Sequence, residues 1–228
     1  MNKKILFCHI PKCSGTNTNN LLIKYKNEQI DNITYVWYIH KILQYDLNIY
    51  NDYYKFTIIR EPIQKLVSLY FYQISNINYL KKKNDLKTYQ PENFNKISIL
   101  YEKYNITDIY SFLNNYKKFY YTEIEPYISK LKMINSTENM TTFYVTGFLP
   151  QYLYICDDNK KILVDDVIDI KNQNEFLYKK FGIINNSKTN CHEHSNENYT
   201  NYLSQQNITD IKEIYNIDYK LFYKNEKS

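Results

Sequence analysis

Lys12 stands between a short apolar run and a turn made of small residues. The run from Ile5 to Cys8 predicts a buried strand, which Pro11 ends because proline has no N–H to donate to a neighbouring strand. A helical pattern begins near Thr16. The N–H groups of such a turn, the positive end of the helix dipole and the charge of Lys12 together favour phosphate or sulfate. The alternative is an ordinary turn with a solvated lysine.

The order of residues in this loop differs from that of the common nucleotide-triphosphate loop. That motif reads G-x-x-x-x-G-K-[ST], with the lysine after the last glycine, whereas Lys12 precedes Gly15. The lysine would therefore approach the anion from the opening of the loop. The sequence predicts an anion site formed by Lys12, Cys13, Ser14, Gly15, Thr16 and Asn17.

Arg60 is the only arginine of the chain and directly follows a further predicted strand, Tyr54 to Ile59. A planar guanidinium can make two parallel hydrogen bonds to a phosphate, which a lysine cannot do. Ser68 follows eight positions later, on the predicted helix, and could add a hydroxyl to the same phosphate. The alternatives are an arginine paired with a carboxylate such as Glu61, and an ordinary helix serine.

His40 ends a β-branched and aromatic run, Thr34 to Ile39, which predicts another strand. A neutral imidazole with a pKa near the operating pH could remove a proton from an acceptor hydroxyl. A strand-end histidine bonded to backbone is equally compatible with the pattern. His9 is expected to be structural, orienting the loop through a backbone hydrogen bond.

The elements that must position these residues alternate between strand and helix. This order predicts an α/β, P-loop-like three-layer fold, in which helices flank a central, mainly parallel sheet and a helical insertion occupies the middle. Ligands of such sheets bind at the carboxyl ends of the strands. Because the Lys12 loop, His40 and Arg60 each follow a strand, we expect them at the same edge of the sheet.

The rest of the chain is less regular. The pattern predicts a helix after Pro62, a polar loop over residues 81–95, and an amphipathic helix that is capped near Thr107 or Asp108. Residues 120–140 read as helix and then loop. Further elements are an extended segment after a turn within 143–152, a strand over 162–170, a helix that stops near Gly182 and a C-terminal helix over 208–222.

Composition limits the class of protein. A chain of 228 residues suits one domain, 1–228, and its net charge of +5 comes from scattered lysines, which does not indicate nucleic acid. No apolar run approaches the roughly 20 residues that cross a bilayer, and the start does not read as a signal peptide. The four cysteines show no paired spacing, so we expect reduced thiols and an intracellular, cytoplasmic protein. Residues 191–194, Cys-His-Glu-His, lack a complementary ligand pair, so no metal is expected.

Two stretches resemble motifs of sulfotransferases that use 3′-phosphoadenosine 5′-phosphosulfate (PAPS). Residues 11–17, Pro-Lys-Cys-Ser-Gly-Thr-Asn, resemble the loop that binds the 5′-phosphosulfate, and residues 56–70 resemble the 3′-phosphate motif. In that family the arginine and the serine eight positions later bind the 3′-phosphate, which implies this role for Arg60 and Ser68. The carbohydrate branch, such as chondroitin and dermatan sulfotransferases, is most similar, and residues 150–152 and 214–222 resemble it too.

This resemblance implies transfer of the sulfuryl group of PAPS to a hydroxyl, with a glycan favoured as acceptor and no metal required. Lys12 and His40 would be the catalytic residues. Residues 169–171, Asp-Ile-Lys, stand where the family has Arg-Phe-Glu, and this departure leaves open a nucleotide-binding module without catalysis. A P-loop-like small-molecule kinase, which would need Mg²⁺, is the other alternative. The acceptor and the oligomeric state are not indicated.

Overall fold

The computed structural model describes residues 3–28, 33–83, 91–134, 143–185 and 199–224. The chain divides into two compact units: the first comprises Met1–Glu61 and Pro150–Asn190, and the second comprises Pro62–Leu149 and Cys191–Ser228. In chain order the strands and α-helices are β1 (Lys3–His9), α1 (Gly15–Glu28), β2 (Ile33–Ile39), β3 (Tyr54–Ile59), α2 (Pro62–Lys83), α3 (Pro91–Lys103), α4 (Ile109–Phe119), α5 (Glu125–Ile134), α6 (Phe143–Thr146), α7 (Tyr152–Ile155), β4 (Asp166–Asp169), α8 (Gln173–Phe181), α9 (Gln205–Ile214) and α10 (Asn216–Phe222).

The first unit is built on a four-stranded sheet in the order β2-β1-β3-β4. All three strand pairings are parallel, with Cys8 opposite both Tyr38 and Thr57. The central strands β1 and β3 are almost entirely buried, as expected for parallel strands covered by the rest of the chain. The predicted α/β fold with a central parallel sheet is confirmed.

Helices α1 and α8 pack on one face of this sheet. The Tyr35 hydroxyl of β2 donates a hydrogen bond to Asn19 of α1 at 2.9 Å. The buried amide of Gln173, at the start of α8, donates to the Thr18 hydroxyl of α1 at 3.0 Å. Helix α8 ends as predicted, with Gly182 in the left-handed region at φ 72°.

The second unit is helical. Its core contains the fully buried rings of Phe112, Tyr116, Phe119 and Phe148. A π-helical turn, Tyr120–Ile124, joins α4 to α5. Asp108 caps α4 by accepting a hydrogen bond from the Ser111 N–H, which confirms the predicted start of this helix.

The polar loop predicted over residues 81–95 is wrong at both ends, since α2 continues to Lys83 and α3 begins at Pro91. The residues from 84 to 90 lie outside the described part of the chain. Phe94, Ile97 and Tyr101 form a buried stripe along α3. Their spacing is helical, but the many Asn and Lys residues around them obscure the pattern.

Three other boundaries differ from the sequence-based expectations. The segment 143–152 is not extended: it begins with the helical turn α6 and ends where α7 starts. Strand β4 is shorter than the predicted strand 162–170. The C-terminal helix is interrupted at Tyr215, which separates α9 from α10. The buried Tyr215 hydroxyl donates to the Phe148 carbonyl at 2.7 Å, so a tertiary contact fixes the interruption.

Candidate active site

The loops after β1 and β3 contact each other at the point where the order of strands in the sheet reverses. From β1 the chain crosses to β2 on one side, and β3 is followed in the sheet by β4 on the other side. Open parallel sheets bind their ligands at such a switch point, in the crevice beyond the carboxyl ends of the strands. Lys12 lies three residues beyond β1, and Arg60 directly follows β3.

The Lys12 loop has left-handed backbone at alternate residues. Lys12 has φ 65° and Ser14 has φ 61°, conformations that non-glycine residues rarely adopt and that cost on the order of 1–3 kcal/mol each. The loop is closed by a hydrogen bond from the Cys13 N–H to the Ile10 carbonyl at 3.3 Å. The Thr18 N–H donates to the Ser14 carbonyl at 3.0 Å, which starts α1. Left-handed residues of this kind turn successive N–H groups toward one concave spot that suits an anion.

Two cations lie next to each other at this spot. The Arg60 guanidinium donates from Nη1 to the Lys12 carbonyl at 3.5 Å. Burial, followed by the positive charge of Arg60, lowers the pKa of Lys12 from 10.5 to about 8. Two like charges in a partly desolvated setting repel each other, and an anion between them relieves that repulsion. The geometry therefore favours a negatively charged ligand.

Gly15 lies directly against the imidazole of His9. A Cβ atom on Gly15 would come within 1.7 Å of His9 Nε2, so glycine alone fits at the start of α1. His9 is buried, and this burial, with the nearby His40 and Lys12, lowers its pKa from 6.5 to about 3. Its Nδ1 atom has no hydrogen-bond partner within the described chain, so the backbone bond expected of His9 is not made there. The neutral ring supports the loop by contact.

Replacing Gly15 with alanine is expected to destabilise the protein strongly, because the added methyl group overlaps the His9 ring. Overpacking of a rigid site costs about 1–3 kcal/mol or more, and urea unfolding measures this loss. The double variant Gly15→Ala, His9→Ala should recover most of it.

Gly182→Ala is the matched control for this pair. A Cβ there meets nothing within 4 Å, and only the positive φ opposes it. The loss of stability caused by Gly182→Ala should be the same with and without His9→Ala. If His9→Ala failed to rescue Gly15→Ala, the contact between ring and glycine would not be what excludes a side chain.

His40 lies at the same edge of the sheet, directly beyond β2. Its backbone is left-handed, at φ 51°, and its N–H donates to the His9 carbonyl at 3.1 Å. The two imidazole rings have their centroids 4.6 Å apart, and His9 also stacks on Trp37 at 5.6 Å. The His40 side chain is partly exposed, so a substrate can reach it.

Ser68 lies in α2, in the second unit, and its side chain is partly exposed. Its role toward the phosphate of the predicted site stays a prediction. Residues 169–171, which differ from the family pattern, span the end of β4 and the turn after it, and the Asp169 carboxylate accepts from the Lys171 N–H at 2.8 Å. This contact gives the segment a local structural role.

The sequence assigns no role to Gln151, which the structure places at this site. The side chain of Gln151 is completely buried and hydrogen-bonds both backbone groups of Arg60. The only sequence signal was the resemblance of Pro150-Gln151-Tyr152, which assigned it no contact.

Among the described residues, no group of three or more His, Cys, Asp or Glu side chains could hold a metal ion. The Cys-His-Glu-His stretch at 191–194 lies outside those residues. In the described part of the chain, no helix combines the length and the apolar character needed to span a bilayer.

The parallel sheet, the cationic loop at its switch point and the arginine beside it define an α/β protein with a site whose charge suits an anionic group. The model of the Sulfotransferase family matches residues 1–224. The chain therefore belongs to the sulfotransferase family, whose members are transferases that move a sulfuryl group. It has no match among curated proteins and none among solved structures.

Proposed function

We propose that this protein transfers the sulfuryl group of PAPS to a hydroxyl, with a carbohydrate as the favoured acceptor. The observation that carries the proposal is the pair of neighbouring cations, Lys12 and Arg60, beside a loop of left-handed backbone at the switch point. PAPS carries anionic groups at both its 5′ and 3′ positions, and two neighbouring cations, one for each group, suit such a donor. The carbohydrate acceptor rests on the sequence resemblance alone.

The residues of the site fit this donor. Gly15 has no side chain, which lets the start of α1 pack directly against the His9 ring and keeps the loop close to the end of β1. Lys12 and the amides of residues 14–17 would hold the phosphosulfate, while Arg60 and Ser68 would hold the 3′-phosphate. The two units would then act as one sulfotransferase-like domain, and the family match supports this because it spans both of them.

In the proposed reaction the acceptor oxygen forms a bond to sulfur as the bond between sulfur and the bridging phosphate oxygen breaks. His40 would take the proton of the acceptor hydroxyl, and adenosine 3′,5′-bisphosphate would leave with the electron pair. Lys12 and the loop amides would stabilise the charge that grows on the bridging and equatorial oxygens. No metal is needed for this, because positioning and fixed dipoles supply the stabilisation.

Calorimetry with adenosine 3′,5′-bisphosphate, compared with ATP and Mg²⁺, tests the donor. We expect the bisphosphate to bind and ATP-Mg²⁺ to bind much more weakly. A transfer assay with radiolabelled PAPS over a panel of glycans then tests the acceptor, with and without EDTA. Tight binding of ATP-Mg²⁺ and activity abolished by EDTA would instead indicate a kinase. Binding without transfer to any hydroxyl would indicate an inactive nucleotide-binding module.

The variant His40→Asn separates binding from chemistry in the same assays. It should bind the bisphosphate as the wild type does, and lose about 10²–10⁴-fold in transfer rate, the usual contribution of a general base. Unchanged transfer by this variant would remove His40 from the mechanism without affecting the donor site.

Cellular location belongs to the proposal as well. Cys8, Cys13 and Cys156 are buried, and the proposed intracellular location rests on the sequence, in which the cysteines show no paired spacing.

A further inference from the structure

Gln151 makes a two-sided contact with the backbone of Arg60. Its Nε2 atom donates to the Arg60 carbonyl at 2.8 Å, and its Oε1 atom accepts from the Arg60 N–H at 2.9 Å. The glutamine is 0% exposed, so water cannot replace either bond. A side-chain amide offers the same donor and acceptor as a peptide group, and Gln151 thus takes the place that a neighbouring strand would occupy.

This contact occurs where the sheet no longer constrains the chain. The pairing of β3 with β4 ends at Ile59, opposite Asp169, and Arg60 is the next residue. Backbone that leaves a sheet is free to turn unless another group holds it. Because Gln151 fixes both the N–H and the C=O of Arg60, it fixes the direction in which the guanidinium leaves the main chain.

The same amide also contacts the anion loop. The Cys13 thiol donates to Gln151 Oε1 at 3.3 Å, and both groups are buried. One oxygen therefore accepts from the loop after β1 and from the backbone after β3. Pro150 and the helical turn α7 flank Gln151 on either side and restrict its own backbone.

We infer that Gln151 is a positioning residue of the donor site, which sets the geometry of Arg60 against the Lys12 loop and thereby the preference for a nucleotide with a 3′-phosphate. This inference rests on the proposed function. Gln151 touches no reacting atom; it acts through Arg60. The amide group is required, because glutamate has no N–H to donate to the Arg60 carbonyl, and methionine has the size but neither hydrogen bond.

The experiment measures calorimetric affinity for two probes, adenosine 3′,5′-bisphosphate and adenosine 5′-phosphate, which lacks the 3′-phosphate. Gln151→Met should weaken binding of the bisphosphate by about 10- to 100-fold, the range that a misplacement of about 1 Å produces, and change binding of the monophosphate little. The ratio of the two affinities should therefore fall toward one. Gln151→Glu keeps the length of the side chain and serves as the second variant if Gln151→Met folds poorly.

Gln73→Met is the matched control. Gln73 is another buried glutamine, which accepts a hydrogen bond from the Tyr101 hydroxyl in the second unit. Its loss should lower the midpoint of unfolding but leave the affinity ratio unchanged. In an Arg60→Ala background, Gln151→Met should have no further effect on the ratio, because its action passes through the missing guanidinium.

Three other results would overturn the inference. Affinities for both probes that Gln151→Met and Gln151→Glu leave unchanged would remove any positioning role. Equal weakening of both probes would show that Gln151 only supports the fold. If the wild-type protein bound neither probe, the proposed function itself would fail and this inference with it.

Discussion

Replacing Lys12 with alanine is expected to lower kcat by about 10²–10³-fold, with a smaller change in the KM for the donor. The reason is the position of Lys12, which lies in the loop after β1 at the switch point, beside the charge of Arg60. A hydrogen bond from the Cys13 N–H to the Ile10 carbonyl holds this loop in place. A fixed cation there stabilises charge that grows on the leaving phosphate oxygen more than charge already present in the bound donor. Steady-state kinetics with PAPS and an active acceptor measure both constants.

The pH profile gives this prediction a second, independent readout. Burial and Arg60 hold the pKa of Lys12 at about 8, below its ordinary 10.5, so Lys12 is charged at neutral pH and loses its proton as the pH rises through about 8. Since kcat/KM reports the free enzyme, it should fall above pH 8. Lys12→Arg keeps its charge at those pH values and should lose the alkaline fall, at a lower maximum.

Lys12→Ala with unchanged turnover would show that the loop does not hold the transferred group. A wild-type kcat/KM that stays level up to pH 10 would show that no group with a pKa near 8 is needed.

The sheet could be predicted from sequence because each strand is a local pattern. The bounds of β3, Tyr54–Ile59, coincide with the predicted strand that ends before Arg60 and Pro62. Parallel strands end at one edge, so the order of the elements already places Lys12, His40 and Arg60 there. Because Arg60 is the only arginine in a chain rich in lysine, the sequence also indicates a specific role for it.

Elements that depend on distant contacts were not predictable in this way. Helix α3 has apolar residues at helical spacing, but Asn and Lys residues lie between them, and Phe94 and Ile97 are identified as core residues only once their burial is known. Segment 143–152 carries β-branched and aromatic residues that favour a strand, yet burial of Val145, Phe148 and Leu149 holds it in turns. The Asn- and Lys-rich composition weakens the hydrophobic contrast on which such patterns depend.

The same limit explains why Gln151 had no predicted role. It lies 91 residues from Arg60 in the sequence, and a glutamine in a chain with many polar residues carries no periodicity. Its contacts arise only when the turn before α7 packs against the end of β3. The role of a buried amide that bonds to backbone becomes evident only from the structure, where nearly every buried donor and acceptor has an identifiable partner.

Arg60→Ala is expected to raise the Kd for adenosine 3′,5′-bisphosphate by roughly 100-fold, since charge-assisted hydrogen bonding to a phosphate contributes about 1.5–3 kcal/mol. Calorimetry with the bisphosphate measures this loss, and adenosine 5′-phosphate is the control ligand whose affinity should change much less. Arg60→Lys keeps the charge but cannot make two parallel bonds, so its affinity should lie between those of the wild type and Arg60→Ala.

The same substitution should also change the titration of Lys12. The positive charge of Arg60 is one cause of the lowered pKa of Lys12, so removing that charge raises the pKa, and the alkaline fall in kcat/KM moves to higher pH. Arg60→Lys retains a cation and should leave the fall near pH 8. If Arg60→Ala weakened binding of the bisphosphate but left the alkaline fall where it is, the group that titrates would not be the lysine beside it. If neither the affinity nor the profile changed, the two cations would not share an anionic ligand.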